Sequence, residues 1–220
     1  EDSVPATAWR DYAAENFAGG TGTESDPYKI TNGAELAKIA VDVNNKDYTK
    51  RTTYSGVYFR LENDIDLSAH RWNPIGVFTW YSGGATTSNS FNGFLDGNDK
   101  KITGLVVDES TDKNSAGLFG NMRNTNTDFV AGVKDLTIEN ARIYDDETRL
   151  ELSQAGILAG YALANQQGKC KIEITNVTVS GKVKHMFAFD DAISGGMFGN
   201  VNYLTVRNCK AINVDISEGS

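Results

Sequence analysis

Two cysteines, three prolines and two histidines in 220 residues leave little material for several familiar chemistries. Cys170 and Cys209 are too few for a disulfide scaffold, and no C-x-x-C spacing points to zinc or redox work. His70 and His185 neighbour no nucleophile motif, and neither G-x-S-x-G nor H-E-x-x-H occurs, so no hydrolytic triad and no metalloprotease centre is expected. The same scarcity gives no ground to expect catalytic residues, a metal or a cofactor. Basic residues are also in short supply. Lys and Arg number 21 against 29 Asp and Glu, for a net charge of −8, and no basic stripe offsets the total. That excludes the phosphate backbone of nucleic acid as a partner, while local patches leave anionic sugars open. No apolar run approaches the roughly 20 residues that cross a bilayer as a helix, so no transmembrane segment is expected. The chain opens on Glu1-Asp2 with no charged-then-apolar leader, and the expectation is a secreted or cell-surface protein whose signal or lipoprotein leader has been removed.

What is abundant is glycine, 22 residues, with many Asn and Thr, a composition that suits numerous turns between short strands. Phe91 to Gly120 shows the pattern best. Phe94, Ile102, Leu105, Val107 and Leu118 arrive two or three apart, and Gly or Asn interrupts each run before a helical turn could form. Upstream, Val57, Phe59 and Leu61 alternate with Tyr58, Arg60 and Glu62; Asn63-Asp64 makes a corner, and Ile65 and Leu67 resume the inward face. Trp72 and Ile75 are expected in the core. Residues 77–90 read as a polar loop carrying the adjacent aromatics Trp80 and Tyr81. Near the front, Gly19-Gly20-Thr21-Gly22-Thr23-Glu24 reads as a turn entering a strand at 28–30, because the unit never recurs as a nonapeptide calcium repeat would.

One helix is expected, Gly33 to Val43. Leu36, Ile39, Ala40 and Val43 make a single apolar stripe, and Asn32 and Glu35 take the N-cap and N3 positions of a variant capping box. A lone amphipathic helix at the front of a β array is expected to cap the open end of the first coil.

The second half repeats. Gly120, Gly160 and Gly199 align in S-A-G-L-F-G (115–120), A-G-I-L-A-G (155–160) and S-G-G-M-F-G (194–199), each followed by a strand, at 133–143, 174–183 and 206–216. Asp135, Asn176 and Asn208 fall one residue before Leu136, Val177 and Cys209, a corner where side chains would stack. Propeller blades need four strands per unit, more than these units offer, so the period of about 40 favours a solenoid. The reading is one all-β domain over 1–220: an N-terminal segment and cap helix (1–50), first coils (51–110) and repeats (111–220), with Leu118, Leu158 and Met197 in one column. The last strand, near 204–216, carries no visible cap, so further C-terminal coils or a partner are expected at the open end.

Acids are plentiful: Asp64, Asp66, Asp96, Asp99, Asp108, Asp112, Asp145, Asp146, Glu147, Asp190 and Asp191. Asp96-Gly97-Asn98-Asp99 could ligate a cation, but it lacks the rest of a twelve-residue calcium loop and reads as a turn. The residues chosen for ligand contact are Trp80, Tyr81, Phe187 and Phe189, since a flat exposed ring can stack on a sugar face or anchor a protein interface. The competing reading folds them back onto the coil as loop plugs.

The blocks F-A-G-G-T-G-T-E-S-D-P-Y-K-I (17–30), L-E-N-D-I-D-L-S (61–68), W-N-P-I-G (72–76), F-N-G-F-L-D-G-N-D-K-K-I-T-G-L (91–105) and G-L-F-G (117–120) together resemble the GLUG-motif surface proteins of Bacteroidetes. The resemblance spans nearly the whole chain. It implies a right-handed parallel β-helix of the pectin-lyase type, exported, acting in adhesion, and it supplies no catalytic residues. Ala159, where the other units carry Phe119 and Phe198, departs from the repeat. The expected function is therefore a non-enzymatic recognition module binding a host or bacterial surface glycan or protein. The alternative is a polysaccharide lyase or glycoside hydrolase on the same fold.

Overall fold

The computed structural model describes residues 3–80, 86–108, 115–144, 154–165, 169–185 and 193–218, with the side chains of residues 79, 80, 86, 87, 185 and 218 outside the description. A 3-10 turn, Trp9–Tyr12, precedes strand β1 (Tyr28–Ile30) and helix α1 (Gly33–Val43). Strands β2 (Tyr58–Leu61) and β3 (Ile65–Asp66) follow, then a pair β4 (Val77–Trp80) and β5 (Thr86–Asn89), then β6 (Phe94–Thr103) and β7 (Val106–Asp108). Three similar units complete the chain: β8 (Ser115–Ala116), β9 (Phe119–Asn124) and β10 (Val130–Tyr144); β11 (Gln154–Ala155), β12 (Ala159–Ala164) and β13 (Lys171–His185); β14 (Ile193–Ser194), β15 (Phe198–Asn202), β16 (Leu204–Arg207) and β17 (Lys210–Glu218).

The architecture is all-β with one helix, and the strands stack in parallel, solenoid-like fashion. The largest sheet runs β1-β2-β6-β10-β13-β16, with β3, β7 and β17 pairing onto β6, β10 and β13; two smaller parallel sheets run β14-β11-β8 and β15-β12-β9. Each strand thus bonds to its counterpart one repeat away. The register keeps like residues in columns. Phe59, Leu95, Val133, Ile174 and Val206 stand opposite one another in turn, and the first four are fully buried. Leu118 and Leu158 are fully buried and Met197 nearly so, in adjacent rungs tied by Phe119 N to Leu158 O (2.9 Å) and Leu158 N to Met197 O (2.9 Å). At the front of the stack, Phe59, Phe91 and Phe119 continue the interior as a tilted aromatic series with centroids 5.9 and 5.1 Å apart.

Long strands turn corners without leaving the ladder because single residues adopt left-handed backbone. One corner column holds Asn98, Asp135, Asn176 and Asn208, with φ between 51 and 54°. A second holds Asn140 (φ 55°) and Asn213 (φ 51°); β13 passes it with one residue fewer, Gly181 (φ 144°) standing opposite Ala141 and Val214, and the register shifts there in both ladders. Asn and Asp are the side-chain-bearing residues that tolerate this region best, which is why they recur here. Asn176 Nδ2 also donates to Asp135 Oδ1 at 2.8 Å, so the expected corner stack is present at that step. Asp96-Gly97-Asn98-Asp99 is likewise a corner: Asn98 N donates to Asp96 Oδ1 at 2.8 Å, and both Asn98 and Asp99 have positive φ.

Helix α1 has the expected bounds. Asn32 Oδ1 accepts from Glu35 N at 3.0 Å, and Glu35 Oε2 accepts in return from Thr31 N at 2.6 Å, one residue before the N-cap, so the reciprocal bond of the box is shifted by one position. Its stripe, Leu36, Ile39, Ala40 and Val43, is buried in the same core as the first strands, beside β1 at the terminus of the main sheet. Asn44 fastens the far end, donating to Pro74 O (2.8 Å) and accepting from Gly76 N (3.1 Å).

Two expectations need correction. Residues 77–90 are not simply a polar loop: Val77–Trp80 pairs antiparallel with Thr86–Asn89, because β-branched and aromatic residues flank the turn. Ser115 Oγ accepts from Phe78 N (3.1 Å) and donates to Phe78 O (3.0 Å), docking this hairpin on the next unit. The glycine motif also aligns differently at its start. Ala116 stands opposite Ala155, not Gly156, and the units come back into step at Phe119 and Ala159. The second and third motifs therefore carry one residue more than the first. Cys209 falls level with Val177, as expected, and both cysteines are free thiols.

The opposite end of the main sheet differs from the helix end. Val206 and Ile216 continue inward columns whose earlier members are buried, yet they are 46% and 50% exposed.

Three substitutions at two positions test this account by urea unfolding. Leu158→Ala, which empties the middle of a column, is expected to cost about 2–5 kcal/mol. Asn176→Ala is expected to cost about 1–2 kcal/mol and Asn176→Gly clearly less, since only the former strains a left-handed corner. Equal losses for the two Asn176 variants would show that the side-chain bond to Asp135, not the backbone angle, holds the corner.

Candidate functional site

A groove of about 610 Å³ crosses the outer face of the main sheet, running from the loop before β1 to β13. Its floor follows from the register. Tyr58, Phe94, Gly132 and Glu173 form one outward row across β2, β6, β10 and β13, one residue before the buried column of Phe59, Leu95, Val133 and Ile174. Alternation along each strand places the next outward row at Arg60, Asp96, Lys134 and Thr175.

Three rings gather here. Tyr58 lies 5.7 Å from Phe94 in a tilted pair and 5.4 Å from Phe129 edge-on; Phe129 is itself buried, so the ring surface open to the groove is that of the half-buried Tyr58 and Phe94. Phe129, in the turn before β10, is held from behind: Asn124 Nδ2 donates to Phe129 O (2.8 Å) and to Lys171 O (2.7 Å). The same turn sets Asp128 at the rim through two successive side-chain turns, Asn126 N to Asn124 Oδ1 (2.8 Å) and Asp128 N to Asn126 Oδ1 (2.9 Å). Gly132 is buried in this row, between Phe94 and Glu173. A Cβ there would lie 2.0 Å from Glu173 O, so no side chain fits, and the rows of Phe94 and Glu173 are left two strand spacings, about 10 Å, apart.

The electrostatics are lopsided. Lys134 Nζ lies 3.1 Å from Asp96 Oδ2 and 3.7 Å from Asp135 Oδ2. Its hydrogen bond to Asp96 leads the effects that hold its amine above the usual lysine range. The ammonium therefore stays charged and is unsuited to act as a base. Burial, and after it the charge of Glu24, raises the Tyr58 phenol above its ordinary value, so the hydroxyl remains a donor. Glu24, Asp128 and Glu173 also line the groove.

The residues expected to contact ligand are not brought into this groove by anything described: the Trp80 side chain, Tyr81, Phe187 and Phe189 lie outside the described residues. The same holds for Asp112, Asp145, Asp146, Glu147, Asp190 and Asp191. Among the described acids, several serve corners: Asp64 Oδ1 accepts from Lys101 N and Asp66 Oδ1 from Ser68 N, each at 2.9 Å. His70 is structural, stacked on Tyr12 at 3.9 Å and bonded to Thr7 Oγ1 at 2.6 Å. Among the described residues no cluster of three or more His, Cys, Asp or Glu could hold a metal ion, and no helix is long and apolar enough to cross a membrane. Sequence reading missed the groove. Tyr58 was assigned to the outward face, but its meeting with Phe94 and Phe129 appears only once the rungs are in register.

No family model matches the chain, and no solved structure matches it. The chain is similar to halomucin of Haloquadratum walsbyi, 33% identical over 190 residues that cover 83% of this chain and 2% of that protein. It is also similar to a protein of Evansella cellulosilytica described as a Gly-rich membrane protein, 36% identical over 110 residues, 47% of this chain and 10% of that protein. The chain thus spans 2% and 10% of these curated relatives, and each similarity concerns a small part of a much longer polypeptide.

Proposed function

We propose that this chain is a cell-surface recognition module of the GLUG type that binds glycan in the groove over Tyr58, Phe94 and Phe129, carried on a right-handed parallel β-helix. The observation that carries the reading is the pair of half-buried rings, Tyr58 and Phe94, backed by the buried Phe129, in a groove also lined by carboxylates. Aromatic faces stack on the apolar faces of sugar rings, while the flanking carboxylates and the Tyr58 hydroxyl provide hydrogen-bond partners for hydroxyl groups. Parallel ladders broken by two recurrent corners support the coil scaffold. The similarity to segments of halomucin and of a Gly-rich membrane protein supports export and a surface location. The uncovered apolar columns at Val206 and Ile216 support a further coil or a partner over that face. Trp80, Tyr81, Phe187 and Phe189 are additional contact residues in this reading.

A second reading, a polysaccharide lyase or hydrolase, draws on the acids that share the groove with Lys134. The ion pairing that keeps Lys134 protonated weighs against its use as the base of an elimination.

Glycan-array screening of the whole chain combined with a reducing-end assay separates the two. Binding without new chain ends is expected. Tyr58→Ala and Phe94→Ala are each expected to weaken binding about tenfold, an aromatic contribution of about 1.4 kcal/mol, with the chain still folded and its unfolding midpoint lowered because both rings pack on the core. Release of new ends would establish turnover, and unaltered affinity in both variants would remove the groove as the binding site.

A further inference from the structure

The groove carries more negative charge than its own cation neutralises. Lys134 is taken up by Asp96 and Asp135, whereas among the described residues no ion pair involves Glu24, Asp128 or Glu173. These three carboxylates stand around the ring cluster, Glu24 beyond Tyr58, Asp128 beside Phe129, and Glu173 across the slot from Phe94. Aromatic faces attract cations through their quadrupole, and carboxylates beside them add direct charge and hydrogen-bond acceptors. We propose that the groove selects glycans bearing free amines, protonated amino-sugar chains, over their neutral counterparts. This rests on the glycan reading above and adds the chemical class of the sugar.

A basic peptide would satisfy the charge but not the surroundings. Strands β2, β6, β10 and β13 are interior members of the sheet, each bonded on both sides, so no free edge lies in the groove for an extended peptide to join. Recognition there falls to side chains alone. A run of rings bearing hydroxyl and ammonium groups meets those side chains at every step, whereas a peptide backbone would enter the slot with its own donors and acceptors unmatched.

The test is titration of the whole chain with glucosamine oligomers and with N-acetylglucosamine oligomers of equal length, at a pH where the free amine is protonated. The amine form is expected to bind at least about tenfold more tightly at low salt, with each carboxylate contributing up to about fivefold. That advantage should shrink as salt rises from about 0.01 M to about 1 M and the screening length falls from about 30 Å to about 3 Å. Glu173→Gln, and independently Asp128→Asn on the rim, should each cut the amine-form affinity severalfold and the acetylated-form affinity clearly less, so that the ratio between the two forms shrinks. Equal binding of both oligomers, or a preference that survives both substitutions, overturns the charge selection while leaving glycan recognition standing. Binding of neither oligomer, with other neutral glycans retained on the array, also overturns it; loss of every glycan removes the underlying reading as well.

Discussion

Parallel pairing between successive repeats is the constraint on which the rest depends. Each strand segment satisfies its backbone groups on its neighbours one repeat away, so a corner that moved in one unit would leave donors and acceptors unpaired in two others. Corners are therefore locked into columns, and the residues that can occupy them are few. Asn98, Asp135, Asn176 and Asn208 share one left-handed position, and Asn140 and Asn213 share the next, which β13 passes with one residue fewer. Side chains between those corners inherit a fixed address, inward or outward, row by row.

That constraint explains which features were legible in the sequence. Helix α1 could be read to the residue because its signals are local: an N-cap, a reciprocal Glu, and an apolar stripe within eleven residues. The corner at Asp135, Asn176 and Asn208 and the column at Leu118, Leu158 and Met197 were legible because the pairing repeats at about the period of the pattern. The β4–β5 hairpin was not, since two four-residue strands around a Gly/Ser/Thr-rich turn look like loop until their pairing is known. The offset at Gly117 escaped for a different reason. Gly-rich segments carry no volume pattern to fix the register, so a one-residue slip leaves the string of letters looking equally regular.

The groove lies at the far end of that scale. Period-2 alternation assigns Tyr58 outward, which ordinarily means solvent, whereas Phe94 reads with the apolar residues of its own segment. Their convergence needs the rung register, and Phe129 joins them only through the turn that Asn124 braces from two directions. Gly132 carried a signal that was overlooked: a glycine inside an otherwise apolar strand marks a close approach of backbone or a missing wall.

At Gly132 fold and site are one problem. Any side chain there would collide with the carbonyl of Glu173 in the next rung, so the position is empty for reasons of stacking before it is empty for reasons of binding. The outward row is not uniform in this respect: the rings of Tyr58 and Phe94 pack against the shared interior, whereas the carboxylate of Glu173 does not belong to it. The charge of this face can therefore change by substitution at Glu173 while the close approach of Gly132 to the Glu173 carbonyl, which the stack itself requires, stays in place.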